Sequence, residues 1–216
     1  MKIGLLGTGM VGNAIATKLV DLGHDVMMGS RDPNSEGLQQ WLDSVGDRGK
    51  GGTFADAAAF GDLLFNCTKG MASLEALNLA GKDAIGNKIL VDVTNPLDFS
   101  QGMPPTLSVC NTDSLGEQIQ RAFPDACVVK TLNTCNCNIM VDPARVPGEH
   151  DIFISGNDDT AKAEVKTLLR SFGWKHIHDL GDITTARGTE QLMPIWLRLW
   201  GTIGNADFNY HIVVKQ

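Results

Sequence analysis

The chain has 216 residues, 43% of them hydrophobic and 20% charged, with no low-complexity tract. That composition excludes a disordered protein, and the length suits one sizeable domain with a small appendage rather than two full domains. Eighteen basic against 25 acidic residues give a net charge of −7 without a long basic run, which argues against nucleic acid or an anionic membrane as the main partner.

No stretch approaches the roughly 18 apolar residues of a membrane span. The opening Met1-Lys2-Ile3-Gly4-Leu5-Leu6-Gly7 is broken by glycines and reads as a first strand rather than a signal peptide. The five cysteines form an odd set without framework spacing, so free thiols in a reducing cytoplasm are expected. Cys135-Asn136-Cys137 has no second Cys/His pair at zinc spacing, so no metal is expected there.

In chain order, Lys2 to Leu6 reads as a buried strand and Met10 to Leu22 as an amphipathic helix closed by Gly23. Asp25 to Gly29 is a second strand and Leu38 to Val45 helical, and Thr53 caps a short helix through Ala59. Strands at Leu63 to Cys67 and Lys88 to Val93 flank a helix at Ala72 to Leu79, and a polar loop runs from Asn95 to about Pro105. Helix Leu115 to Phe123 and strand Cys127 to Leu132 come next. Beyond the Pro143 to Gly148 stretch lie strand Ile152 to Ser155, helix Asp159 to Phe172, strand Lys175 to Leu180 and one long Trp-bearing helix from Thr184 to about Ile203.

This alternation predicts an α/β protein: a doubly wound, mainly parallel Rossmann sheet covered by helices on both faces. Residues 1–147 are expected to form this Rossmann domain. Residues 148–216 are expected to be a small α/β extension packed on it, too short to hold its own core.

Gly7-Thr8-Gly9-Met10-Val11-Gly12 matches G-x-G-x-x-G between the first strand and the first helix, the context the motif requires. Gly7 permits the tight turn, Gly9 lets a pyrophosphate approach the backbone, and Gly12 lets helix and strand pack closely. Free N–H groups of the first helical turn then meet the phosphate charge.

The residue that selects between nucleotides sits at the end of the second strand, about 20 residues on, where an NAD site carries a carboxylate. Here stands Gly29-Ser30-Arg31. Ser30 can donate to a 2′-phosphate, Arg31 can pair with it bidentately, and Thr8 can add a hydroxyl. Asp32, followed by Pro33, reads as a helix or turn cap. The expected cofactor is therefore NADP.

Three further loops follow strand ends: Asn66-Cys67-Thr68-Lys69-Gly70, Thr94-Asn95-Pro96-Leu97 and Asn133-Thr134-Cys135-Asn136. Thr68, Lys69, Asn95, Pro96, Asn133 and Thr134 are candidates to hold the riboses and the carboxamide, although Asn, Thr and Gly are also ordinary turn residues. His24, His150, His176, His178 and His211 are scattered, so no catalytic residue is assigned; hydride transfer between two bound redox cofactors needs alignment rather than a general acid. Trp196, Trp200 and Met193 stand at roughly helical spacing, a pattern of core packing that could also wall a ring pocket.

The combination of the glycine turn, Gly29-Ser30-Arg31, Asp92-Val93-Thr94-Asn95-Pro96, Val129-Lys130-Thr131-Leu132-Asn133-Thr134 and a late segment from Gly181 to Leu199 resembles the NADP oxidoreductase family that includes coenzyme F420-dependent NADP reductases. The resemblance implies hydride transfer between NADPH and a deazaflavin such as coenzyme F420, in a compact homodimer. Similar modules in animal ferric reductases use a flavin instead. Two other readings stand beside it: an NADP-dependent dehydrogenase of a small carbonyl substrate, and a non-catalytic NADPH-binding sensor.

Overall fold

The computed structural model describes residues 1–215. The elements are β1 (Lys2–Leu6), α1 (Met10–Asp21), β2 (Asp25–Ser30), α2 (Glu36–Val45), β3 (Gly49–Thr53), α3 (Phe54–Phe60), β4 (Leu63–Asn66), α4 (Ser73–Ala80), α5 (Lys82–Ile85) and β5 (Ile89–Asp92). There follow β6 (Leu97–Asp98), β7 (Thr106–Leu107), α6 (Leu115–Ala122), β8 (Cys127–Thr131), α7 (Cys137–Val141), β9 (Asp151–Gly156), α8 (Asp159–Phe172), β10 (His176–Gly181), α9 (Ala186–Gln191) and α10 (Met193–Ile203).

One eight-stranded sheet runs β10-β9-β8-β5-β4-β1-β2-β3. The six strands from β3 to β8 pair in parallel, in the doubly wound order of a Rossmann sheet. β9 then pairs antiparallel to β8, and β10 parallel to β9. The predicted fold class is the one observed.

Alternate residues of the central strands feed two cores. Phe65, Val91 and Val129 pack on one face with Ile15 and Leu19 of α1, while Leu64, Leu90 and Val128 pack on the other with Leu77 and Ile119. Strands buried on both faces must be apolar throughout, and these are. The first core continues without a break to Ile152 and Ile154 of β9 and Val165 and Leu169 of α8.

Two expectations are corrected. The predicted helix from Thr184 to Ile203 is two helices, α9 and α10, separated at Leu192. Pro194 sits in the first turn of α10; it has no N–H to donate to the Glu190 carbonyl, so the hydrogen-bond ladder of α9 cannot run through into α10. The unforeseen strands are the two-residue β6 and β7, which form an antiparallel hairpin where a polar loop is expected from Asn95 to about Pro105, and β3, whose Gly-Lys-Gly-Gly-Thr sequence is poor in strand formers. β3 pairs with β2 in register from Val26–Gly49 to Ser30–Thr53. A Cβ on Gly49 would lie 2.2 Å from Val45, and one on Gly52 2.8 Å from Asp56, so close-packed neighbours require glycine in this edge strand. Thr53 then caps α3 as expected, in a reciprocal box with Asp56.

Candidate nucleotide-binding site

Because β1, β2, β4, β5 and β8 are parallel, their carboxyl ends lie along one edge of the sheet. The five predicted loops therefore meet there. The glycine turn follows β1 and is tied to β2 by the Gly7 N–H donating to the Gly29 carbonyl at 3.0 Å. Gly7 has φ +115°, and a Cβ there would approach the Cys67 carbonyl to 2.7 Å. A Cβ on Gly12 would stand 2.0 Å from the Gly7 carbonyl oxygen, whereas one on Gly9 would meet nothing within 4 Å. These are the three separate requirements the motif predicts: a left-handed turn, a helix seated on a strand, and open backbone facing outward.

Gly9 caps α1 without a side-chain hydrogen bond, and the first turn carries no acidic residue, so its amides and partial positive charge face the cleft uncompensated. Asn13, which sequence reasoning passed over, braces the turn: its amide donates to the carbonyls of Thr8 at 2.9 Å and Gly9 at 3.2 Å. Met10 and Val11 continue into the helix, Met10 with its side chain exposed.

A cleft of about 250 Å³ joins Gly7, Thr8 and Gly9 to Ser30, Arg31, Thr68 and Lys69. Among the described residues neither Arg31 nor Lys69 forms an ion pair. Asp32 is occupied locally, accepting from the Asn34 N–H at 2.9 Å while its own N–H reaches Ser30 Oγ at 3.3 Å. It caps a turn, and Ser35 rather than Asp32 precedes α2. Burial, then the Asp92 charge, pushes the Cys67 thiol up, so the cleft wall there is a neutral thiol.

The remaining predicted residues form the neighbouring part of the edge. Asn95 donates to the Asn133 carbonyl at 2.8 Å, and Asn133 donates back to Asn95 Oδ1 at 2.9 Å. This double clasp joins the loops after β5 and β8. A Cβ on Gly70 would sit 1.9 Å from the Asn95 carbonyl, so the loop after β4 lies directly against the pair, with buried Pro96 beside it. Buried Thr134 has a hydroxyl without a protein partner, an unsatisfied polar atom of the kind a bound polar ligand would complete.

Beneath these loops lies a network that sequence reasoning missed. Lys130, with a fully buried side chain, donates to Asp92 at 2.8 Å, to the Thr94 carbonyl at 2.5 Å and to Glu190 at 2.8 Å. Burial alone would lower the Lys130 pKa, but the two carboxylates outweigh it and raise it. Asp92 Oδ1 also accepts from Asn66 and Thr94, and Thr68 donates to Asn66. The available signal was a lone aspartate ending one apolar strand and a lone lysine next to the end of another; the structure pairs them in register.

Met193, Trp196 and Leu197 form a separate apolar cluster with Leu97, Leu107, Phe208 and Tyr210. Trp196 stacks on Phe208 at 5.3 Å, while Trp200 is partly exposed. The first tryptophan thus packs against the hairpin that follows Asn95-Pro96.

Residues 2–96 match the family model for the NADP oxidoreductase, coenzyme F420-dependent, family. A crystal structure of a "putative f420 dependent nadp-reductase" from Arthrobacter sp. fb24 is 55% identical, superimposes with a TM-score of 0.95 and covers 99% of this chain and 100% of that one. The chain belongs to the coenzyme F420-dependent NADP oxidoreductase family. The F420-dependent NADP reductase of Methanocaldococcus jannaschii is 26% identical over 208 residues, 92% of each protein. Metalloreductase STEAP3 of Rattus norvegicus is 29% identical over 201 residues; that match takes in 90% of this chain but only 38% of the metalloreductase.

As a member of this oxidoreductase family, the protein is an NADP-dependent enzyme. Its fold, its open glycine turn and, among the described residues, the lack of an ion pair to Arg31 or Lys69 fit a dinucleotide that carries both a pyrophosphate and a further phosphate. Among the described residues, no helix is long and apolar enough to cross a membrane.

Proposed function

We propose that the cleft holds NADPH with its pyrophosphate on Gly7, Thr8, Gly9, Met10, Val11 and Gly12, and its 2′-phosphate on Ser30 and Arg31. Thr68 and Lys69 contact the ribose and phosphate groups, and Asn95, Pro96, Asn133 and Thr134 hold the nicotinamide end. The observation that carries this reading is one cleft joining an uncapped helix N-terminus to an arginine without a carboxylate partner. Anions are favoured at both places.

The acceptor in this reading is a deazaflavin of the F420 type, or a flavin in its place. The bound nicotinamide supplies the hydride; the protein supplies position and exclusion of water. Carbonyl reduction requires a proton donor at the reacting oxygen. The predicted nicotinamide loops offer amides and hydroxyls, and the ammonium of Lys130 beneath them has all three donors engaged. This favours a ring-to-ring transfer over a small carbonyl substrate.

A cytoplasmic homodimer accompanies the reading. A groove of about 550 Å³ containing Met103, Leu197 and Trp200 gives it a surface. Residues 1–147 act as the nucleotide-binding unit and 148–216 as the extension that completes the sheet.

The test is turnover with NADPH against deazaflavin, free flavin, ferric chelates and carbonyl compounds, followed at the reduced-nicotinamide absorbance band. Deazaflavin or flavin reduction is expected. Turnover confined to carbonyl compounds, or bound NADPH without any turnover, would replace this reading with one of the other two.

A further inference from the structure

Buried charge in a protein core requires partners for every donor and acceptor. The Lys130 ammonium has three donors and three acceptors at hydrogen-bond distance, on three different segments: Asp92 at the end of β5, the Thr94 carbonyl in the loop beyond it, and Glu190 in α9. Glu190 is equally committed. Besides Lys130, its Oε2 accepts the Leu115 N–H at 2.8 Å and its Oε1 the Gly116 N–H at 3.0 Å, both from the first turn of α6. One cation and two carboxylates leave an excess negative charge, which the α6 N-terminus faces.

We infer that Lys130 and Glu190 are positioning residues for hydride transfer, holding the Thr94–Pro96 loop in register with the α9–α10 pair. The inference rests on the reading that this loop and its partner at Asn133-Thr134 hold the nicotinamide. The path is short and each link is a contact. Lys130 fixes the Thr94 carbonyl, and the next residue, Asn95, is clasped to Asn133. From the other side, Glu190 ties α9 to the same ammonium, and α10 packs its Met193–Trp196–Leu197 cluster on Leu97 and Leu107. Movement of α9 is therefore transmitted to the loop from two directions. Neither Lys130 nor Glu190 contributes to the cleft lined by Arg31 and the glycine turn.

The geometry supplies a selective perturbation. Glu190 uses both oxygens on backbone N–H groups and one of them on Lys130 as well. In Glu190→Gln the carboxamide has only one oxygen, so its NH₂ must face a donor and one tie is lost. Lys130→Met/Glu190→Gln keeps the same net charge in the core and removes the link altogether.

The experiment measures two ligands by calorimetric titration: NADPH, and adenosine 2′,5′-bisphosphate, which carries the adenosine end alone. Glu190→Gln should weaken NADPH about tenfold, the scale of a small misplacement of aligned groups, and change the bisphosphate by less than about twofold. The double variant should weaken NADPH at least as much with the bisphosphate again unaffected. Equal losses for both ligands, the signature of a merely structural role, would overturn the inference. Thr134→Val tests the loops themselves. If it weakens NADPH while Glu190→Gln does not, the positioning role fails alone; if neither variant changes NADPH binding, the placement of the nicotinamide fails with it.

Discussion

Two charged regions share the carboxyl edge of this sheet and treat charge in opposite ways. In the cleft, Arg31 and Lys69 stand with the glycine turn, and among the described residues neither is held in an ion pair, although Glu75 lines the same cleft. A few strands away Lys130 is wholly buried with two carboxylates and a carbonyl around it. Positive charge outside any ion pair in an open cleft is stable because water solvates it, and it is available to a phosphate. Compensated charge in the core has no remaining capacity for a ligand, so its worth lies in which segments it joins. The difference separates residues that touch the cofactor from residues that place them.

The comparison is tested most severely at the buried end. Lys130→Met would leave Asp92 and Glu190 without their cation. It should cost about 3–5 kcal/mol of stability, the usual result of breaking a buried pair on one side, read from denaturant midpoints at constant m. A loss under about 1 kcal/mol would mean that the network is solvated.

Gly12→Ala should follow, at about 3 kcal/mol, because the added methyl would lie 2.0 Å from the Gly7 carbonyl oxygen and the turn must shift. NADPH affinity should fall with it. Gly9→Ala meets no protein atom, so its effect should appear in NADPH affinity while the melting temperature stays near wild type. The opposite pattern would detach the turn from the phosphate.

The smallest effect belongs at the surface. The Arg121 guanidinium, 2.7 Å from Asp113, holds that carboxyl down to about 2. A depressed native pKa contributes stability that is complete above the unfolded value of about 4 and is lost as pH falls through the native one. The pair is largely exposed, so Asp113→Asn should cost under about 1 kcal/mol at neutral pH, with the gap to wild type closing near pH 2 in thermal melts across that range. A gap independent of pH would remove the carboxylate from the account.

The region readable in advance was the one built from local rules. The glycine turn, its strand and its helix are specified by backbone freedom at three positions, and α8 by its apolar spacing, with Asp158 and Gly173 at its ends. The less readable parts depend on partners distant in sequence. β3 has no propensity of its own and exists because β2 pairs with it and α2 and α3 leave room only for glycine. The break at Leu192 was written in Pro194 but masked by a continuous apolar pattern across it. Lys130 carried no role of its own in the sequence, because its partners Asp92 and Glu190 lie 38 and 60 residues away along the chain. Within the cleft, Ser30, Arg31, Thr68 and Lys69 were legible because parallel strands bring their ends together. Asn13 was not, because bracing a turn leaves no pattern in the sequence.

The most direct measurement is a calorimetric titration of wild type and Arg31→Ala with NADPH and with NADH. A charge-assisted contact to the 2′-phosphate predicts a loss of about 1.5–3 kcal/mol for NADPH, one to two orders of magnitude in Kd, with NADH nearly unchanged. Equal losses for the two nucleotides, or none for either, would contradict the assignment of the extra phosphate to this arginine.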